Sequence, residues 1–193
     1  MGVSLRMRIL LITLGIASVL FLLGILLYSQ AVYTVGEEEY VLVARYGELV
    51  SVRSQPGKYY KSPMIDQIIA RYDATPRTFD LVPEPMSDRN GREATFSAAL
   101  TYQITDPVQF RLTLLDYRQA QSRLGDIGAA ILRDEASHLD YADLLESTGS
   151  LDRSRTQELE DRLLRSVREI ISRQGSFGLT VESLEILEIR PAN

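Results

Sequence analysis

A run of twenty uncharged residues, Ile9 to Tyr28 (ILLITLGIASVLFLLGILLY), constrains this 193-residue chain more than any other feature. At about 1.5 Å rise per residue, a helix of that length matches the hydrocarbon core of a bilayer. Its polar atoms are few: Thr13 and Ser18 can bond carbonyls of the preceding turn, and Tyr28 sits where an interfacial aromatic belongs. No ion or proton path is implied. Arg6, Arg8 and the α-amino group precede the run, and Glu37, Glu38 and Glu39 follow it as a hydrophilic stop. The positive flank orients residues 1–8 to the cytoplasm, residues 9–28 across the membrane and the remainder outside it, in the periplasm if the source is a Gram-negative bacterium. The absence of cysteine is compatible with that compartment. The alternative is a cleaved signal peptide, because Ser29-Gln30-Ala31 has the small-x-small form of a cleavage site. The apolar run is longer than the roughly 7 to 15 residues of a signal h-region, and Phe21, Leu22, Leu23 and Leu26 make it a good stop in lipid.

Beyond the span lie about 160 residues, enough for one domain of one or two lobes. Setting aside the two arginines before the membrane, 19 Lys+Arg face 26 Asp+Glu. Such an acidic field repels phosphate, and no basic stripe with interleaved aromatics is present, so a nucleic-acid partner is excluded.

Periodicity predicts an α+β domain. Glu38 to Ser54 reads as a hairpin, with Tyr40–Ala44 and Leu49–Val52 on either side of Tyr46-Gly47. Pro56-Gly57 and Ser62-Pro63 punctuate two further short runs, Lys58–Tyr60 and Gln67–Tyr72, which extend a meander. Pro83-Glu84-Pro85 and Ser87 to Gly91 form a turn cluster, with Asn90-Gly91 as the hairpin signal. Next, Ala94, Phe96, Ala98, Leu100, Tyr102 and Ile104 alternate with Thr95, Ser97, Ala99, Thr101 and Gln103, the mark of an antiparallel sheet covered on one side by helices. Asp106-Pro107 opens a short helix to Leu112. Asp116, with Gln119 reaching back to it, opens a second helix to about His138, with Tyr117, Ala120, Leu124, Ile127 and Ile131 on its apolar stripe. Gly125 and Gly128 inside it signal close backbone approach or a kink. A third helix, Leu151 to Gln174, buries Leu159, Leu163, Val167, Ile170 and Ile171 and ends at Gly175. Its other face pairs Glu158 with Arg162, Asp161 with Arg165 and Glu169 with Arg173, which reads as a solvated surface or a subunit contact. Leu179–Val181 and Leu184–Ile189 form a strand or two, with phase shifts near Glu182-Ser183 and at Leu187 that call for bulges or a change of partner.

Catalytic machinery is not legible. Without cysteine there is no thiol nucleophile, thiolate metal site or disulfide. His138 is the lone histidine, and beside Asp134 and Glu135 it reads as an ordinary surface residue. A single imidazole does not make a zinc site, no Gly-x-Ser-x-Gly elbow is present, and the glycines form no phosphate loop. No catalytic, cofactor-binding or metal residue is assigned, and no cofactor is expected.

Several segments in order resemble the SPFH or band-7 superfamily of stomatins, prohibitins, flotillins and HflK/HflC proteins, over nearly the whole chain. They are Val35-Gly36-Glu37, Val41 to Gly47, Pro56-Gly57-Lys58-Tyr59-Tyr60, Ser62 to Asp66, and Asp73, Arg77 and Asp80. Ile104 to Pro107, Ala130 to Asp134, Asp143-Leu144-Leu145 and Phe177 to Val181 complete the order. The resemblance implies a domain over residues 34–193, sheet-rich in 34–105 and helix-rich in 106–175, with a final strand at 177–190. The anchor and its orientation are most similar to the HflC-like branch. That implies a non-enzymatic scaffold contacting membrane lipid, forming homo-oligomers or hetero-oligomers with an HflK-like SPFH protein, and modulating a membrane-bound AAA protease of the FtsH type. A stomatin- or flotillin-like organiser of membrane microdomains is the alternative within the superfamily. An anchored or secreted enzyme is the alternative outside it. Lys58-Tyr59-Tyr60 departs from the family's "PGLH", and the chain stops where relatives continue into a coiled coil.

Overall fold

The computed structural model describes residues 5–145, 150–175 and 177–191. Met1 to Ser4 of the expected cytoplasmic segment, and Ala192-Asn193 at the end of the expected domain, lie outside the described residues. The chain forms two compact units that divide between Arg71 and Tyr72.

The first unit begins with helix α1, Leu5–Ala31, which extends beyond the 9–28 run at both ends. Strand β1 (Val32–Val35) follows without a linker and pairs antiparallel with β4 (Gly57–Tyr60), from Val32 opposite Tyr60 to Val35 opposite Gly57. This corrects the meander, because Lys58–Tyr60 returns to a strand that its four-residue length and its junction with the apolar run conceal. β2 (Glu39–Arg45) and β3 (Glu48–Arg53) form the expected hairpin. Tyr46 and Gly47 both have positive φ, 52° and 87°, as the two-residue turn that matches strand twist requires. β5 (Asp66–Asp73) lies on the other side of β2. Tyr33, Val35, Val41 and Val43 make the small core here, with Tyr59 and Ile68 packed against it.

The second unit is built around β8, Glu93–Ile104. Along one edge of β8 lie β6 (Arg77–Asp80) and β7 (Glu84–Ser87) in succession, and along the other lies β9 (Leu179–Pro191), all antiparallel. Burial follows the alternation: Ala94, Phe96, Ala98, Leu100, Tyr102 and Ile104 are buried, and Ala99 joins them. Residues 83–85 are a correction, since Glu84-Pro85 belongs to β7; proline is tolerated there because β7 occupies a sheet edge. β9 is one strand, and its register against β8 skips Glu182 and Leu187, so both phase shifts are bulges.

Helices α2 (Pro107–Thr113), α3 (Tyr117–His138) and α4 (Arg153–Arg173) complete the unit. Asp106 caps α2 through the N–H groups of Val108 and Gln109, and Asp116 caps α3 through that of Gln119. The return bond from Gln119 is not made: Asp116 N–H donates instead to the Leu114 carbonyl at 2.7 Å. α3 is continuous through both glycines. At Gly128 a Cβ would stand 3.1 Å from Leu81 Cδ1, so this is the close approach; at Gly125 it would meet only Phe79, at 4.0 Å. α4 buries Thr156, Leu159, Leu163, Val167 and Ile171, with Ile170 half-buried.

Candidate functional site

His138 is exposed on the last turn of α3, where its Nδ1 contacts the Asp134 carbonyl at 2.7 Å and no carboxylate orients it. Among the described residues no group of three or more metal-ligating side chains converges. A groove of about 420 Å³ opens between α3 and the β6–β7 connection, over Phe79, Leu81 and Gly125. The hydroxyl in it, Ser122, has no histidine among the lining residues, and three carboxylates, Asp80, Glu84 and Asp126, stand there against Arg118. That set holds no paired nucleophile and base.

The buried charges serve structure. Asp88 closes the β7–β8 turn, accepting from the N–H groups of Asn90 at 2.8 Å and Arg92 at 2.9 Å and from the Arg92 guanidinium at 2.6 Å. Burial pushes the Asp88 carboxyl up, but these donors outweigh it and hold it below the usual carboxylate range. Arg92 also pairs with Asp140, which accepts from Asn90 Nδ2 at 2.8 Å, and stacks over Tyr141. The turn is thereby fixed to the segment after α3. The sequence shows the Asn90-Gly91 turn but not this lock, whose second half lies some fifty residues away.

In the first unit, Asp66 accepts from Arg45 at 2.7 Å and from Ser62 N–H at 2.8 Å. The bond from Arg45, followed by that from Ser62, holds the Asp66 carboxyl below its ordinary value. At the unit's other end Arg71 bonds Glu39 at 2.8 Å and the Thr34 carbonyl at 3.1 Å. Glu39 also accepts from Gly36 N–H at 2.8 Å. It therefore belongs to the fold and is more than a hydrophilic stop.

The charged face of α4 differs from its sequence reading. Of the three expected pairs only Glu169–Arg173 forms, at 2.5 Å. Two other side chains of α4 turn to β9: Glu160 accepts from Ile186 N–H at 2.7 Å, and Arg168 donates to the carbonyls of Val181 at 2.8 Å and Glu182 at 3.1 Å. Backbone groups loosened beside the two bulges are thus satisfied by α4, which blunts the sheet edge against unwanted pairing. Arg162 and Arg165 stay exposed.

Residues 33–193 match the SPFH domain / Band 7 family. Over 140 residues the chain is 24% identical to Protein HflC of Treponema pallidum (strain Nichols); the match covers 72% of this chain and 42% of that protein, so the chain spans less than half of that curated relative.

Proposed function

The chain belongs to the SPFH/band 7 family, and we propose that it is a non-enzymatic, membrane-anchored scaffold of the HflC type. In this reading its domains associate side by side at the bilayer surface, with copies of themselves or an HflK-like chain, and enclose or restrain a membrane-bound AAA protease. The observation that carries it is the direct passage from anchor to domain. α1 has a 20-residue stretch, Ile12–Ala31, long and apolar enough to cross a membrane, and the family match begins at residue 33. In this reading the domain is held against the bilayer with no linker to let it swing away. It lies outside the cytoplasm, a topology that the arginine-bearing N-terminal flank supports. Its action would be steric: it would limit which substrates reach the protease.

Affinity capture of the tagged full chain from detergent-solubilised membranes, with identification of what co-purifies, tests this. Enrichment of a membrane AAA protease together with SPFH chains is expected. SPFH chains and lipid without a protease would favour the microdomain organiser, and recovery of neither would remove the scaffold reading.

A further inference from the structure

In the second unit, β6 and the β6–β7 connection run beside α3 in the same direction. The Arg77 guanidinium lies 4.0 Å from the Tyr117 ring centroid, Phe79 stands beside Gly125, Leu81 packs against Gly128, and Glu84 pairs with Arg133. The groove of about 420 Å³ between them is therefore a channel along an extended strand and a helix. Its strand side is open. β6 pairs with β8 along one edge, and just beyond it Leu81 N–H donates to the Ala98 carbonyl at 2.8 Å. Antiparallel alternation then directs the backbone groups of Phe79 to β8 and those of Thr78 and Asp80 away from it. The edge they face carries no further strand among the described residues.

Nothing in the packing requires residue 125 to be glycine. It lies inside α3, where glycine weakens a helix relative to alanine, and a Cβ there would meet only Phe79, at 4.0 Å. What the missing side chain does is deepen the groove, which Gly125 lines together with Phe79 and Leu81. Polar groups around them stand unused: the side chains of Asp80, Arg118, Gln121, Ser122 and Asp126 line the groove and make no hydrogen bond or ion pair among the described residues. Asp80 follows Phe79 and Asp126 follows Gly125, so the two free carboxylates share one level of the channel. Arg118 stands about two turns back along α3.

We propose that this groove binds an extended segment of a partner polypeptide, which adds a strand to the open edge of β6, sets an apolar side chain over Gly125 and Phe79, and brings a basic side chain to Asp80 and Asp126. An extended chain is the occupant because the open edge offers main-chain donors and acceptors in series, while alternate side chains of the added strand face the helix. Same-face residues of such a strand stand roughly 6.6 Å apart. An apolar residue over Gly125 therefore has one such neighbour toward the two carboxylates and the other toward Arg118. The segment that fits carries a base and an acid at the alternate positions on either side of the apolar residue.

The probe is a synthetic peptide with the core Glu-Thr-Leu-Thr-Lys, titrated to millimolar concentration into the fluorophore-labelled full chain in detergent and followed by thermophoresis. Saturable binding is expected, weakened about fivefold or more when aspartate replaces the central leucine of the peptide. Gly125→Ala should weaken binding about threefold or more while the melting temperature holds or rises, because the added Cβ fills the groove without disturbing the fold. Asp126→Arg, at an exposed position, should weaken it about fivefold or more, and Asp161→Arg, exposed on α4, should leave it unchanged. Amide hydrogen exchange at Thr78 and Asp80 should slow when the peptide is bound. Absence of saturation, or an affinity indifferent to both Gly125→Ala and Asp126→Arg, would overturn the inference. If those two substitutions instead reduce crosslinking between copies of the chain in membranes and the peptide does not bind, a second copy fills the groove and the inference also falls.

Discussion

At Gly178 a Cβ would lie 2.3 Å from the Asp106 carbonyl oxygen and 2.4 Å from the Phe110 nitrogen, on backbone with φ of +72°. The same residue's carbonyl accepts from Thr105 and Asp106 N–H, at 3.0 and 2.9 Å, and so joins the start of β9 to the start of α2. Neither clashing atom is a flexible side-chain end, so Gly178→Ala should cost about 3 kcal/mol or more. Gly125→Ala, with only Phe79 nearby, should gain up to about 1 kcal/mol from helix propensity. Thermal melts of the two variants check this, and equal melting temperatures would contradict it. Asp66 gives a pH-dependent counterpart. Its folded carboxyl is held below the unfolded value of about 3.9, chiefly by Arg45 and then by Ser62. The stabilisation is therefore complete at neutral pH and is lost as pH falls from about 4 through the folded value. The stability gap between the parent chain and Asp66→Asn should be widest at neutral pH and should narrow below about pH 4. Acid titrations followed by circular dichroism measure it, and a gap that stays constant down to about pH 2 would be inconsistent with the Arg45–Asp66 pair.

The alternation from Ala94 to Ile104 was legible because β8 has partners on both edges and helices on one face, so every second side chain is forced into the core. Leu100 is fully buried, whereas Thr101 faces outward and shares a 2.8 Å hydrogen bond with Thr78. Leu100→Asp should cost several kcal/mol, about 3 or more, because it buries an unpaired carboxylate and removes a packed side chain. Thr101→Asp should cost about 1 kcal/mol through the lost cross-strand bond. Similar losses in denaturant unfolding of the two variants would mean that the register is shifted by one. The bulges at Glu182 and Leu187 were also visible in the sequence, since an extra residue interrupts a period of two wherever it occurs. β1 and β7 were not. The first is four residues long and merges with the anchor, and the second carries Pro85 and so mimics a turn. The pairs of α4 failed for another reason: spacing shows which side chains can meet, but Glu160 and Arg168 are drawn to β9 backbone that no local rule anticipates. No catalytic site was legible, and the lone histidine came to rest on an exposed helix end.

For the whole molecule, anchoring and assembly are separate questions with separate measurements. If α1 stays attached and the chain follows its charge flanks, a reporter fused after Gly57 should be active only outside the cytoplasm, and the mature N-terminus should precede Leu5; a mature chain beginning at Val32 would instead identify a signal peptide. Assembly turns on α4. Arg162 and Arg165 are exposed, and the partners expected for them on the same helix, Glu158 and Asp161, are not engaged. Exposed pairs on one helix contribute only about 0.3–0.5 kcal/mol each even when formed. Reversing both arginines to glutamate should therefore shift the melting temperature little. If this face meets an acidic neighbouring subunit, the same double reversal sets like charges across the contact and should weaken association far more than folding. Crosslinking of the full chain in intact membranes, read beside its melting temperature in detergent, separates the two effects. Reduced crosslinking with an unchanged melting temperature would identify the α4 face as a subunit contact. Unchanged crosslinking would leave α4 a solvated face and move the search for the subunit contact elsewhere on the domain.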